Sequence, residues 1–198
     1  MREHRQLLRH ASLISALTIV SRILGYIRDS RIAFLLGAGT AADAYTTAYR
    51  IPNLIRRLVA EGAVSAAFIP VFSRYIAEKK EKDAWEFANT MLTVLLIFLT
   101  AFTILGIIFS PWIVRLFACR FADTAGKIDH TTVLNRIMFP YIFLISLAAL
   151  AMGILNSFHR FGASSLSPVV LNLTMIAFSF LGSLFGDLTQ TLAVGVVA

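Results

Sequence analysis

Residues 21–70 combine apolar runs with side chains that bind oxyanions. This stretch holds six arginines, two aspartates and one glutamate, which are Arg22, Arg28, Arg31, Arg50, Arg56, Arg57, Asp29, Asp43 and Glu61. A guanidinium group binds a phosphate or a carboxylate through two parallel hydrogen bonds and keeps its charge throughout. The residue types therefore suit noncovalent binding of an anionic group.

The apolar residues around these charges point to a membrane. At the centre of a membrane helix each charge costs about 2.5 to 3.5 kcal/mol, whereas a Leu or Ile returns only about 0.3 to 0.6 kcal/mol. The charged faces are therefore expected to line a water-filled cavity inside a helical bundle, where ionisable residues mark a path for a substrate or an ion. The alternative is that arginines near helix ends reach the headgroups, and Arg31 and Arg50 fit this alternative best.

Composition defines the protein class. The chain is 58% apolar and only 15% charged, and its mean hydropathy is +0.76. These values indicate an all-α, polytopic transmembrane helical bundle. The net charge of +7 is explained by membrane topology, because Lys and Arg accumulate in cytoplasmic loops. We therefore expect no nucleic-acid partner.

Metal and disulfide chemistry is not indicated. The single cysteine, Cys119, excludes an intramolecular disulfide and a cysteine cluster for metal. The histidines show no metal-ligand spacing; they are His4, His10, His130 and His159. We therefore expect neither a metal site nor a cofactor.

The hydropathy pattern predicts five membrane helices and the start of a sixth. Their approximate bounds are 11–37, 41–72, 84–118, 131–157, 167–186 and 190–198. The basic and apolar N-terminus is similar to a signal peptide but lacks a small-residue cleavage site, so it is assigned to the first helix, which we expect to be interrupted near Gly25. In the fifth helix, Ser167 is the expected N-cap and Pro168 the first helical residue.

Pro52 is expected to kink the second helix, because proline removes one backbone hydrogen bond and clashes with the preceding turn. Bent helices in transporters border cavities. Arg56 lies four residues after Pro52 on the same face, and Arg57 is turned about 100° away, so Arg56 is the better cavity residue. Asp43, at the start of this helix, either complements the helix dipole or serves in transport.

The basic residues are distributed unequally between the two predicted sides. Eight lie on one side and two on the other, the eight being Arg2, Arg5, Arg9, Arg74, Lys79, Lys80, Lys82 and Arg160 and the two being Arg120 and Lys127. By the positive-inside rule, the N-terminus is predicted to be cytoplasmic.

Three sequence blocks carry a resemblance to a known family. They are SRILGYIRD at 21–29, GAGTAADAY at 37–45 and RIPNLIRRLVAEGAVSAAFIPVFSRY at 50–75. In this order they resemble the opening of the MurJ (MviN) family of lipid II flippases, within the superfamily of multidrug, oligosaccharidyl-lipid and polysaccharide exporters. The resemblance implies two six-helix lobes and two further helices around a cationic cavity. This chain would be the N-terminal lobe, truncated before the second.

The resemblance also implies a function and a site. Such a protein moves lipid II from the inner to the outer leaflet of the bacterial cytoplasmic (inner) membrane by alternating access, for cell wall synthesis. Its partners would be lipid II, membrane lipids and other cell wall synthesis proteins. The cavity positions that match are Arg22, Arg28, Arg56 and Asp43. Asp29, Asn53 and Glu61 stand in the same blocks and could instead be pairing or capping residues.

Two other classes are considered. A related exporter of polysaccharide units or drugs would share the fold without needing the NLIRRLVAEGA block. A membrane enzyme acting on polyprenyl phosphates would need an acidic cluster that holds a divalent cation. The acids of the hydrophilic loop alternate with lysines and indicate a solvated face instead; they are Glu78, Glu81, Asp83 and Glu86. We therefore predict that the protein is not an enzyme.

Overall fold

The described part of the chain is entirely helical. The structure, a computed structural model, describes residues 2–57, 65–118, 121, 124, 126–158, 161–182 and 187–198. These residues form nine α-helices and no strand: α1 (Arg2–Leu36), α2 (Thr40–Arg56), α3 (Ser65–Ala77), α4 (Glu81–Ile108), α5 (Ser110–Phe117), α6 (Lys127–Met138), α7 (Tyr141–Ser157), α8 (Phe161–Gly182) and α9 (Leu188–Val197). The predicted all-α class is confirmed.

Three helical stretches of the described chain are long and apolar enough to cross a membrane. These are Glu81–Ile108, Lys127–Ser157 and Ser165–Gly182, and each contains an 18-residue window whose mean hydropathy is 2.7, 2.2 and 1.6, respectively. Large apolar side chains cover the outside of these helices, among them Ile97, Phe98 and Ile104 on α4. An apolar exterior of this kind is expected of a helical bundle that is solvated by lipid.

Two clusters of buried side chains hold the bundle together. The first joins α2, α6, α8 and α9 and includes Ala48, Leu134, Met175 and Leu192. The second joins α3, α4 and α7 around aromatic rings, including Phe68, Phe72 and Phe139, which lies between α6 and α7. Helix α1 packs mainly against α8 and makes few contacts with α2, which leaves a groove between α1 and α2.

Contacts among helix ends define two ends of the bundle. At one end the rings of Phe72, Trp85 and Phe158 pack together, with centroid distances of 6.0 to 6.4 Å. At the other end Lys127 of α6 bonds to Asp43 at the start of α2, and the His130 Nε2 of α6 lies 3.0 Å from the Thr189 hydroxyl of α9. The starts of α2, α6 and α9 therefore lie at one end, and the start of α4 and the end of α7 at the other.

The first and fifth predicted helices differ from the structure. Helix α1 is continuous through Gly25, where we expected an interruption. A glycine inside a helix costs only about 1 kcal/mol relative to alanine, which is too little to interrupt a long apolar helix. Helix α8 begins at Phe161, so Pro168 lies inside it and is not the first helical residue. Prolines inside membrane helices are tolerated where neighbours satisfy the freed carbonyl.

The predicted helix 84–118 is divided at Phe109, whose ψ of 4° departs from helical geometry. The cause is Pro111, at the start of α5, which has no N–H to donate to the Ile107 carbonyl. The Arg136 Nε of α6 donates to that carbonyl at 3.2 Å. A side chain from another helix thus replaces the backbone donor that proline removes.

The predicted helix 131–157 corresponds to one stretch of membrane-spanning length, Lys127–Ser157, which is assigned as α6 and α7 because the hydrogen-bond ladder is interrupted at Phe139 and Pro140. Pro140 has no N–H to donate, but both residues keep right-handed helical φ and ψ, so α7 continues α6. The Phe139 ring fills the space above Gly106 of α4, where an added Cβ would lie 1.8 Å from the ring. Within the predicted helix 41–72, helix α2 continues through Pro52, and residues 58–64 lie outside the described residues.

Candidate functional site

Arg28, one of the arginines predicted to form the site, is largely enclosed. Its side chain is 17% exposed, and its Nε and Nη2 reach one carboxylate oxygen of Asp29 at 2.9 and 2.8 Å. Its Nη1 donates to the Asn172 Oδ1 of α8 at 2.8 Å. Asp29 is itself 68% exposed, so this counter-ion can be hydrated or displaced.

The Arg28–Asp29 pair borders a cavity of about 290 Å³ in the groove between α1 and α2. The α2 side of the cavity carries Tyr45 and Tyr49, whose rings are parallel with centroids 6.4 Å apart. The Tyr45 hydroxyl is buried and has no hydrogen-bond partner among the described residues. The groove therefore combines a cation, a counter-ion and aromatic walls in a largely apolar bundle.

Arg22 does not line the cavity, but it shares a face of α1 with Asp29, which does. It precedes Asp29 by seven residues, which places the two within about 20° on the helix and about 10 Å apart along its axis. The Arg22 side chain is exposed and makes no hydrogen bond or ion pair with the described part of the chain. Its guanidinium is thus available to an external anion.

Arg56 has the equivalent position on α2. It follows Tyr49 by seven residues, again within about 20° on the helix surface. Its Nε donates to the Asn53 Oδ1 at 3.0 Å, so the structure brings these two predicted residues together. From the turn between the two helices, Arg22 lies about 21 Å along α1 and Arg56 about 24 Å along α2, so the two residues are at a similar depth.

Asp43 is not part of this groove. Its carboxylate accepts a hydrogen bond from the Lys127 Nζ of α6 at 2.7 Å, and the Asp43 side chain is 60% exposed whereas that of Lys127 is 10% exposed. The Lys127 Nζ also lies 4.0 Å from the centroid of the Phe121 ring. Asp43 therefore joins the start of α2 to the start of α6. Glu61 lies outside the described residues.

Comparisons with known proteins identify the family. The family model described as "Lipid II flippase MurJ" matches residues 32–198. The chain belongs to this family. It is 42% identical over 192 residues to a "Probable lipid II flippase MurJ" of Buchnera aphidicola subsp. Acyrthosiphon pisum, covering 96% of this chain and 38% of that protein. It is 41% identical over 182 residues to the protein of the same description from Vibrio cholerae, covering 87% and 34%.

A solved structure of the MurJ family has the same fold. The structure titled "Lipid II flippase MurJ, inward closed conformation" superposes with a TM-score of 0.75 at 31% identity, covering 93% of this chain and 39% of that one. The family resemblance read from the sequence blocks is confirmed, and the chain is part of a multi-pass membrane protein. It spans between 34% and 39% of the length of these relatives.

Within this MurJ-family chain, the two arginines proposed as membrane anchors differ. Arg31 donates from Nε to the Ser179 Oγ at 2.8 Å, and its guanidinium carbon lies 3.3 Å from the centroid of the Phe180 ring. It therefore holds α1 against α8, which corrects the expectation that it reaches the headgroups. Arg50 is exposed and forms no hydrogen bond or ion pair with described residues, as an anchor would.

Sequence reasoning missed two partners in the MurJ-family chain, Asn172 and Lys127. Asn172 stands in an apolar run that contains no charged residue. Lys127 stands in a short loop, where the sequence analysis used it only to predict topology. A buried polar residue in a membrane helix is a usable signal, because it must find a hydrogen-bond partner inside the bundle.

A second polar cluster lies at the end of the MurJ-family bundle that carries Asp43. Asp187 caps α9 by accepting from the Gln190 N–H, and it also accepts from Thr189, whose hydroxyl lies 3.0 Å from the His130 Nε2. Partial burial opposes ionisation of Asp187, but these two hydrogen bonds and nearby His130 hold the pKa of its carboxyl below the usual value. No group of three or more metal-ligating side chains occurs among the described residues.

Proposed function

We propose that the protein is a lipid II flippase of the bacterial cytoplasmic membrane and that this chain forms its N-terminal lobe. Membership of the family supports the substrate. The observation that carries the proposal is Arg28, a guanidinium enclosed at 17% exposure beside a groove in an otherwise apolar bundle. A charge at such a place is costly unless it binds something, and ionisable residues inside membrane proteins are typically functional.

The chemistry of lipid II suits this groove. Lipid II carries a pyrophosphate and peptide carboxylates on a polyprenyl tail. Arg28 is held at the groove, while Arg22 and Arg56 extend the cationic surface to similar distances from the turn between α1 and α2. These guanidinium groups would bind the pyrophosphate while the tail stays in the bilayer, and no bond need be made or broken.

A related exporter of polysaccharide units or drugs is the alternative within the superfamily, and the family match favours the flippase. Both functions are transport. Binding of lipid II compared with binding of a polyprenyl-linked glycan that lacks the peptide separates them, since a glycan exporter would bind the second at least as well as the first.

The first prediction tests the three arginines in the complete gene product. Arg22→Ala, Arg28→Ala and Arg56→Ala should each abolish growth of a bacterium depleted of its own flippase, while the protein remains in the membrane at near-normal amount. Lys at the same positions should restore growth only in part, because an ammonium keeps the charge but loses the planar fork.

Arg50 is the matched control, since it is exposed and forms no hydrogen bond or ion pair with described residues. Arg50→Gln should support growth. Arg31 is unsuitable as a control because it bonds to Ser179. Normal growth of all three alanine variants would contradict the proposal, and their disappearance from the membrane would assign the arginines to folding instead.

A further inference from the structure

Asn172 is a buried amide that connects α8 to two turns of α1. It is 6% exposed, its Oδ1 accepts from the Arg28 Nη1 at 2.8 Å, and its Nδ2 donates to the Ser21 carbonyl at 2.9 Å and approaches the Ser21 Oγ at 3.4 Å. Both ends of the amide are thus used, one as acceptor and one as donor. A buried amide with both ends bonded is held in a single orientation.

Asn172 lies against one face of α1. Ser21, Gly25 and Arg28 follow one another at spacings of four and three residues, so they form one stripe on α1. A Cβ added at Gly25 would lie 3.6 Å from the Asn172 Nδ2, an ordinary van der Waals contact, so the amide packs directly against this stripe. Asn172 therefore lies between the Ser21 carbonyl and the Arg28 guanidinium.

The two partners of Arg28 differ in kind. Asp29 takes Nε and Nη2, carries a negative charge and is 68% exposed. Asn172 takes Nη1, is neutral and is buried. A neutral acceptor orients a guanidinium without cancelling its charge, whereas a carboxylate both orients and neutralises it. The bond to Asn172 fixes the direction of the guanidinium independently of Asp29.

We propose that Asn172 is a positioning residue for oxyanion binding, which directs the Arg28 guanidinium at the α1–α2 groove and leaves its charge available to a pyrophosphate. The inference rests on the proposed function, because it assumes that Arg28 binds the anionic substrate. It adds a residue of α8 that neither the sequence blocks nor the groove lining contains.

The competing interpretation is that Asn172 only fastens α1 to α8. The chain offers a matched control for that role, since Ser179 of α8 accepts a hydrogen bond from Arg31 of α1 at the same 2.8 Å and lies seven residues from Asn172. Ser179→Ala removes an α1–α8 hydrogen bond of the same type without touching Arg28. It should lower the melting temperature and leave anion binding within about twofold of wild type.

The experiment measures the Kd of undecaprenyl pyrophosphate for the complete gene product in lipid nanodiscs. Asn172→Leu should raise Kd about tenfold, the loss expected from one charge-assisted hydrogen bond. In an Arg28→Lys background the same substitution should add less than about twofold, because residues that act through each other are not additive. Asn172→Asp keeps the size and the acceptor, yet it should weaken binding at least as much as leucine because it neutralises Arg28.

Three results would overturn the inference. Full additivity of Asn172→Leu with Arg28→Lys would show that Asn172 acts independently of Arg28, and wild-type binding by Asn172→Asp would show that only packing matters. If Asn172→Leu does not fold, the aspartate variant decides alone. If wild-type protein binds undecaprenyl pyrophosphate no better than the neutral polyprenol, both the proposed function and the inference fail. Wild-type binding together with the additive or unchanged variants described above would contradict the inference alone.

Discussion

At the scale of single residues, the burial of the two partners determines what an ion pair contributes. Asp43 and Lys127 share one hydrogen bond at 2.7 Å, but Asp43 is 60% exposed and Lys127 only 10% exposed. An exposed carboxylate that loses its partner is solvated by water, and the loss is small. An enclosed ammonium that loses its partner stays desolvated and unpaired, and the loss is larger.

The second prediction follows from this asymmetry. Asp43→Asn should lower the free energy of unfolding by about 1 to 3 kcal/mol, because it leaves Lys127 enclosed without its counter-ion. Lys127→Met should lower it by less than about 1 kcal/mol, because the exposed Asp43 is hydrated in its place. Thermal unfolding of the purified protein in detergent measures both. Equal losses, or a larger loss for Lys127→Met, would contradict the role of burial, and Lys127→Arg should behave nearly as wild type.

Which residues sequence reasoning found at this scale depended on distance along the chain. Arg28 with Asp29 and Asn53 with Arg56 are neighbours within one helical turn, and local blocks contain both members of each pair. The bonds from Arg28 to Asn172 and from Lys127 to Asp43 join residues 144 and 84 positions apart. Partners this remote are set by packing between helices, which no local pattern encodes.

At the scale of elements, prolines explain why the long predicted helices are divided. Hydropathy detects a continuous apolar stretch but not a missing backbone donor. Pro111 leaves the Ile107 carbonyl without its helical N–H, and the chain breaks between α4 and α5. Without water in the bilayer, such a carbonyl must find another donor. The Arg136 side chain supplies it at 3.2 Å. The proline could be read from the sequence, whereas its compensating arginine could not.

The third prediction tests this compensation. Arg136→Leu should lower the free energy of unfolding by about 1 to 3 kcal/mol, the cost of a carbonyl left without a partner. In a Pro111→Ala background the same substitution should cost much less, because residue 111 then has an N–H for the Ile107 carbonyl. Melting temperatures of the four proteins in the cycle provide the measurement.

Arg115→Leu is the control for removing an exposed arginine, since Arg115 lies on α5 and forms no hydrogen bond or ion pair with the described residues. It should change stability equally in both backgrounds. If Arg136→Leu is also equally costly with Pro111 and with Ala at that position, then Arg136 does not compensate for the proline.

At the scale of the whole molecule, the two ends of the bundle differ in their number of basic residues. The end that carries Phe72, Trp85 and Phe158 continues into the loop before α4, where Lys79 and Lys80 are exposed and Lys80 pairs with Glu78 at 2.8 Å. At the opposite end, Lys127 is enclosed and pairs with Asp43. The positive-inside rule counts Lys and Arg rather than net charge, so the larger number of basic residues at the first end supports the prediction that this end and the N-terminus are cytoplasmic.

The last prediction concerns this orientation, which loop charge predicts without accurate helix bounds. Single cysteines at Lys80 and at Thr40, introduced into a Cys119→Ser background, lie at opposite ends of the bundle. In intact cells a membrane-impermeant thiol reagent should label the cysteine at position 40 and not that at position 80. After permeabilisation both should be labelled, which controls for reactivity. Labelling at position 80 in intact cells would contradict this orientation. The lysine-rich end would then face outward, against the positive-inside rule. The groove between α1 and α2 would in that case have to accept its anion from the opposite leaflet.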